Sequence, residues 1–136
     1  VLSYIRGLSN LETLFLGECQ VQGAGLEVLA EFPKLRYLSL RKLSLSRSSL
    51  AVLGVCTQLQ SLGLDETPLA DESLGSISHL PQLRVLWLTG TSISDDGVEH
   101  LLNLPRLEKL YVRGTALSDD GAKRLQDVRP KLALTR

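Results

Sequence analysis

Leucine returns at a fixed interval along this chain: Leu11, Leu35, Leu59, Leu83 and Leu107 each open a segment reading L-x-x-L-x-L, and the interval is 24 residues every time. The second leucine recurs at Leu14, Leu38, Leu62, Leu86 and Leu110. The third recurs at Leu16, Leu40, Leu64 and Leu88, with Val112 closing the series. A period of this length is the mark of a stacked array, because one unit is too short to bury its own apolar face.

Within each unit the L-x-L alternation is the period-two signal of a short strand with one buried face, over roughly residues 12–17, 36–41, 60–65, 84–89 and 108–113. A further apolar set follows at Val21, Leu45, Leu69, Ile93 and Leu117. Three more sets follow, spaced by three residues, at Leu26, Leu50, Leu74, Val98 and Ala122, then Leu29, Leu53, Ile77, Leu101 and Leu125, then Phe32, Cys56, Leu80, Leu104 and Val128. That spacing suits one face of a short α or 3₁₀ segment. Asp71, Asp95 and Asp119 stand where a helix N-cap is expected, and Pro33, Pro81 and Pro105 stop each helix before the next strand. Each copy is therefore strand, turn, short helix, turn. The copies are expected to stack into a parallel sheet with the helices behind it.

The pattern L-x-x-L-x-L-x-x-T-x-I-x-D-x-G, carried by Leu83 to Gly97 and with Val112 and Leu117 as variants by Leu107 to Gly121, resembles the leucine-rich-repeat family. The position after the strand holds Cys19, Leu43, Thr67, Thr91 and Thr115, which is similar to the short bacterial and protozoan repeats and to the cysteine-containing repeats of F-box proteins. The resemblance implies an α/β solenoid, a right-handed superhelix with parallel strands on its concave face and short helices or 3₁₀ segments on its convex face. One repeat domain over 1–136 is expected, with copies at 11–34, 35–58, 59–82, 83–106 and 107–131. Leu2, Ile5 and Leu8 match the closing helix of a preceding copy, and Leu132 and Leu134 the start of a following strand. Partial copies, and further repeats or a capping segment beyond them, are therefore expected at both ends. Arg129 to Lys131 reads as a one-residue insertion, and Leu43, Arg47 and Cys56 predict an irregular second copy.

The outward strand positions carry the functional expectation, because the core asks for no large side chain there. They hold four of the six aromatics of the chain, Phe15, Tyr37, Trp87 and Tyr111, together with Arg41, Asp65, Thr89, Lys109 and Arg113. Rings and guanidinium groups dominate protein interfaces, so these nine residues are the expected partner-binding set. The alternative is that rings on a sheet surface only pack on their cross-strand neighbours. Trp87 and Tyr111 are expected to form one platform beside Arg113, with Tyr37 and Arg41 as a second cluster.

Other chemistry has little to stand on. His79 and His100 fall on the convex side, His100 as a solvated helix residue, and no nucleophile with a base, Walker, dinucleotide or metal-ligand motif occurs. No catalytic residue, metal or cofactor is therefore expected. A calcium ladder through Asp71, Asp95 and Asp119 is disfavoured because Gly23 and Arg47 interrupt it. Thr67, Thr91 and Thr115 are expected to satisfy backbone groups at the strand exits.

Fifteen basic and fifteen acidic residues leave no net charge, which disfavours nucleic acid and anionic membranes as partners. The charge is uneven, with eight Lys/Arg against four Asp/Glu over residues 106–136. Cys19 and Cys56 fall too far apart in the repeat to bridge, and two separate thiols favour a reducing compartment, weakly a cytoplasmic one. The expected role is a module that binds another protein on its concave face. The alternatives are the substrate-recognition arm of a ubiquitin ligase or of a secreted effector, and, more remotely, a GTPase-activating repeat enzyme with an exposed arginine.

Overall fold

In the computed structural model, which describes residues 2–19 and 23–136, six strands form one parallel sheet in chain order. They are β1 (Thr13–Phe15), β2 (Tyr37–Ser39), β3 (Ser61–Gly63), β4 (Val85–Trp87), β5 (Lys109–Tyr111) and β6 (Ala133–Thr135). Leu14, Leu38, Leu62, Leu86, Leu110 and Leu134 stand opposite one another across all five pairings. The 24-residue step is therefore a register as well as a sequence period. The chain has the leucine-rich-repeat solenoid fold.

Behind the sheet run 3₁₀ segments and three α-helices: α1 (Arg47–Ala51), α2 (Val98–Leu102) and α3 (Asp119–Val128). Every copy contributes one layer of leucine-rich side chains to a continuous core, with Leu38, Leu62, Leu86 and Leu110 sealed from solvent on the strand side and Leu26, Leu50, Leu74 and Val98 on the helical side. One further apolar position, Val21, lies outside the described residues.

The outermost copies depart from the pattern. Leu8, in the slot of buried Phe32, is 49% exposed, and Val128, in the slot of buried Leu104, is 61% exposed. Both positions need a neighbouring layer to cover them, and each has one on a single side only. At the C-terminal end the expected insertion is absent, because Leu110 pairs with Leu134 at the same 24-residue step. Lys131 occupies the slot of Leu107, and Leu132 turns inward beside it and is buried.

The second copy is also more regular than expected. Leu43 and Cys56 are both buried, so each fills its slot as an apolar group. Ser46, not Arg47, caps α1, its hydroxyl accepting the Ser49 N–H at 3.2 Å. Burial pushes the Cys56 thiol up to about 11, as expected for a thiol that packs as a small hydrophobe. Cys19 is exposed, and neither thiol is bridged.

The aspartates do not cap their helices. The residue before each does so where it is serine: Ser94 accepts from Asp96 N–H, and Ser118 from Gly121 N–H. Each aspartate instead reaches into the next copy. The Asp71 carboxylate accepts the Ser94 N–H and hydroxyl at 2.8 and 2.6 Å, and Asp95 accepts the same pair from Ser118 at 2.8 and 2.5 Å. Gly97 and Gly121 complete the arrangement, since a Cβ at Gly97 would stand 2.5 Å from Asp71 Oδ1 and one at Gly121 would collide with the Asp95 carboxylate. The D-x-G spacing thus joins two different seams: the aspartate serves the following copy, and the glycine makes room for the preceding one. Where copy two has Arg47 in place of the aspartate, copy three has Ala70 and Ser73 in place of the serine and glycine.

Candidate functional site

The outward strand side chains form the open face of the sheet. Thr67, Thr91 and Thr115 fix its far edge, each hydroxyl donating to the carbonyl three residues earlier, Leu64, Leu88 and Val112, at 2.6 to 2.7 Å. Immediately beyond the strands, residues 18, 42, 66, 90 and 114 all adopt positive φ, between 55° and 70°. Gly90 and Gly114 take this conformation readily, whereas Glu18, Lys42 and Glu66 take it against the usual preference of an L residue.

The four rings join into one run across the open face. Phe15 and Tyr37 have centroids 5.2 Å apart, Tyr37 and Trp87 5.9 Å, and Trp87 and Tyr111 5.5 Å. The last pair is stacked, with 7° between the ring planes, and the two residues stand opposite each other in the β4–β5 register. The Tyr37–Trp87 contact skips a strand, whose breadth on either side is about 4.8 Å. It is possible because β3 presents only Ser61 and Gly63 between the two rings, and Gly63 is buried although it points to the open face. Tyr37 therefore belongs to the Trp87 platform and not to a separate cluster with Arg41.

Arg41 is committed elsewhere. Its guanidinium donates to Glu66 at 2.6 and 3.0 Å and lies 3.9 Å from Glu18, while Lys42 pairs with Glu18 at 2.9 Å and approaches Glu66 at 3.9 Å. Lys42 holds the Glu18 carboxyl below its usual range, and Glu66 raises Arg41 further. Asp65, next along the open face, accepts the Thr89 backbone N–H at 3.0 Å. Asp65 and Thr89 are thus tied to each other. Lys109 and Arg113 lie on β5 and just beyond it, both exposed, on either side of half-buried Tyr111.

His79 is exposed on the convex side, and His100, expected to be solvated, is half-buried, its ring alongside Gly75. Among the described residues, no group of three His, Cys, Asp or Glu is placed to hold a metal ion, and no helix is long and apolar enough to cross a membrane. A cavity of about 390 Å³ opens at the C-terminal end between Leu107, Glu108, Arg129, Pro130, Lys131 and Leu132. None of the outward strand residues lines it.

Known structures share this architecture. The tropomodulin C-terminal domain from Caenorhabditis elegans superposes with a TM-score of 0.70 at 13% identity, covering 90% of this chain and 84% of that one. An internalin from Listeria monocytogenes gives 0.66 at 20% identity, covering 96% and 42%, and a leucine-rich-repeat protein from Leptospira interrogans gives 0.56 at 20%, covering 97% and 44%. The chain spans less than half the length of the latter two. No curated protein matches it by sequence. Residues 2–78, more than half of its length, match the family described as "FBD-associated F-box protein At5g56370, LRR repeats". The chain belongs to that family of leucine-rich repeats.

Proposed function

We propose that the chain is a protein-interaction module whose partner docks on the concave, open face of the sheet, over Phe15, Tyr37, Trp87 and Tyr111. The carrying observation is the unbroken run of four rings across β1 to β4 and on to β5, on a face where the core requires none. Such a surface offers a partner a large apolar area at little cost in side-chain entropy, with polar groups at its margin. Lys109 and Arg113 flank the rings, and Asp65, Thr89 and Arg41 form the rim beyond them. No reaction is assigned to the chain itself.

The test is affinity for a partner identified by crosslinking. Trp87→Ala or Tyr111→Ala should weaken binding by about 2 kcal/mol or more, while Glu99→Ala and Lys123→Ala on the helical side leave it nearly unchanged. The reverse order would place the docking face on the wrong side. The F-box description of the family favours one more specific reading, that the module is the substrate-recognition arm of a ubiquitin ligase. On that reading, the same Trp87 and Tyr111 substitutions slow ubiquitin transfer to the substrate in a reconstituted ligase.

A further inference from the structure

The open face carries two sets of cations in different states. Arg41 lies in the row Gly17, Arg41, Asp65, Thr89 and Arg113, one outward residue from each copy. The neighbouring row at the strand exits is Glu18, Lys42, Glu66, Gly90 and Gly114. Arg41 therefore has a glutamate from the copy on either side, and both are within 4 Å of its guanidinium. Beside Arg113, the position that gives Arg41 its Glu18 is Gly90, which has no side chain to offer. Among the described residues, Arg113 and Lys109 make no ion pair and no side-chain hydrogen bond. The nearest acidic residue in sequence, Glu108, is occupied by Arg84 at 2.8 Å.

Lys109, Tyr111 and Arg113 alternate along one strand direction, so the two cations stand about 13 Å apart at the backbone with the ring pair between them. Among the described residues no carboxylate pairs with either cation, so one brought by a partner can take that place. Covering the rings would also exclude water and strengthen the pairing. Stacked rings beside cations also suit nucleic acid bases. That occupant needs a longer basic track, and this face has no net excess of charge beyond these two residues, with Asp65 nearby in the same row as Arg113.

From this geometry we infer that the partner presents an acidic segment in which carboxylates flank an aromatic or proline ring, the ring lying on Trp87 and Tyr111 and the carboxylates on Lys109 and Arg113. The inference rests on the docking face proposed above and adds the chemistry of its occupant.

Selection of random displayed peptides against the chain tests both layers separately. Trp87 is the single tryptophan, so its fluorescence reports occupancy of the site directly. Selected peptides should carry Asp or Glu on both sides of a Phe, Tyr or Pro, should shift Trp87 emission, and should lose about tenfold in affinity on the double change Lys109→Gln and Arg113→Gln. Arg113→Glu should turn the selection toward peptides with Lys or Arg at one flank. Peptides that require Trp87 yet show no acidic enrichment and ignore both glutamine changes would overturn the inference while leaving the docking face intact. Peptides that bind unaffected by Trp87→Ala and Tyr111→Ala would remove the docking face itself. Preferential, Trp87-dependent binding of a single-stranded oligouridylate over the acidic peptides would likewise overturn the inference.

Discussion

Between the first three copies, the side chains that bridge neighbours are Glu18, Arg41, Lys42 and Glu66, all at the strand exits. Between the last three, exposed pairs such as Arg84–Glu108 and Arg124–Glu99 recur, but Asp71 with Ser94 and Asp95 with Ser118 add bridges of another kind on the helical side. The two solutions differ in kind. The first pairs long, solvent-exposed side chains, whose attraction is small and screened by salt, and it places three of those residues at positive φ. The second satisfies a backbone N–H and a hydroxyl with one carboxylate, in a space that exists only because the facing residue is glycine. The helical side also changes along the array, from the 3₁₀ stretch Gly23–Glu31 of the first copy to the ten-residue α3 of the last. A seam of the second kind is specific to its neighbour in a way the first is not.

The largest expected effect breaks that second seam. Gly121→Ala drives a methyl group into the Asp95 carboxylate and Leu117, and Gly97→Ala does the same to Asp71, Leu74 and Ile93. Each should cost about 1–3 kcal/mol in urea unfolding. Combining Gly121→Ala with Asp95→Ala should recover part of the loss, because the clash partner is gone. Strict additivity would mean that the carboxylate is not what confines the glycine.

Next come single-residue tests of each edge. Ser118→Ala removes both the cap of α3 and the donor to Asp95, and should cost about 1 kcal/mol or somewhat more. Gly90→Ala should cost about 1 kcal/mol, since φ is +70° there and the new Cβ would lie 3.3 Å from Glu66 Cγ. Lys42→Gly, at the equivalent position of the other half, relieves the backbone while giving up its ion pairs, so melting temperature should change little in low salt and rise in high salt. A large loss at low salt that shrinks as salt is added would show that the ion pairs dominate the first seam.

The smallest effect is one of pH. The Ser118 hydroxyl, then its N–H, then Arg136 hold the Asp95 carboxyl below its usual 3.8. A depressed carboxyl contributes stability that is complete above the unfolded value and is lost as pH falls through the folded one. Asp95→Asn should therefore be less sensitive than the parent chain to acidification below about pH 4. Parallel acid-unfolding curves would show that the bond to Ser118 does not depend on the charge.

The strands and the layer of leucines behind them are legible in the sequence because the L-x-L parity leaves only one way to bury all copies at once. The open face was legible for the same reason: once Leu14, Leu38, Leu62, Leu86 and Leu110 point in, Phe15, Tyr37, Trp87 and Tyr111 must point out. The Tyr37–Trp87 contact was not, since it depends on ring reach across an intervening strand, although Ser61 and Gly63 were its signal. The aspartates were misassigned because Ser94–Asp95 and Ser118–Asp119 each offer two residues able to cap. Their partners lie 23 residues away, beyond any local rule. The pairing of Arg41 escaped for a related reason, because Glu18 and Glu66 come from the two neighbouring copies.

The aspartate, serine and glycine at successive convex turns also set the grammar by which copies can be exchanged. A copy bearing the aspartate fits a following copy that bears serine and glycine in the matching slots, as copies three, four and five follow one another. Copy two, with Arg47, is followed by the copy that carries Ala70 and Ser73. Duplicating copy four in frame would therefore create one new junction, itself compatible, whereas deleting copies three and four would place Arg47 against Ser118 and Gly121 and leave a gap where a carboxylate belongs. The order of the units is thus written into their junctions, and recombination within the array is free at some boundaries and penalised at others.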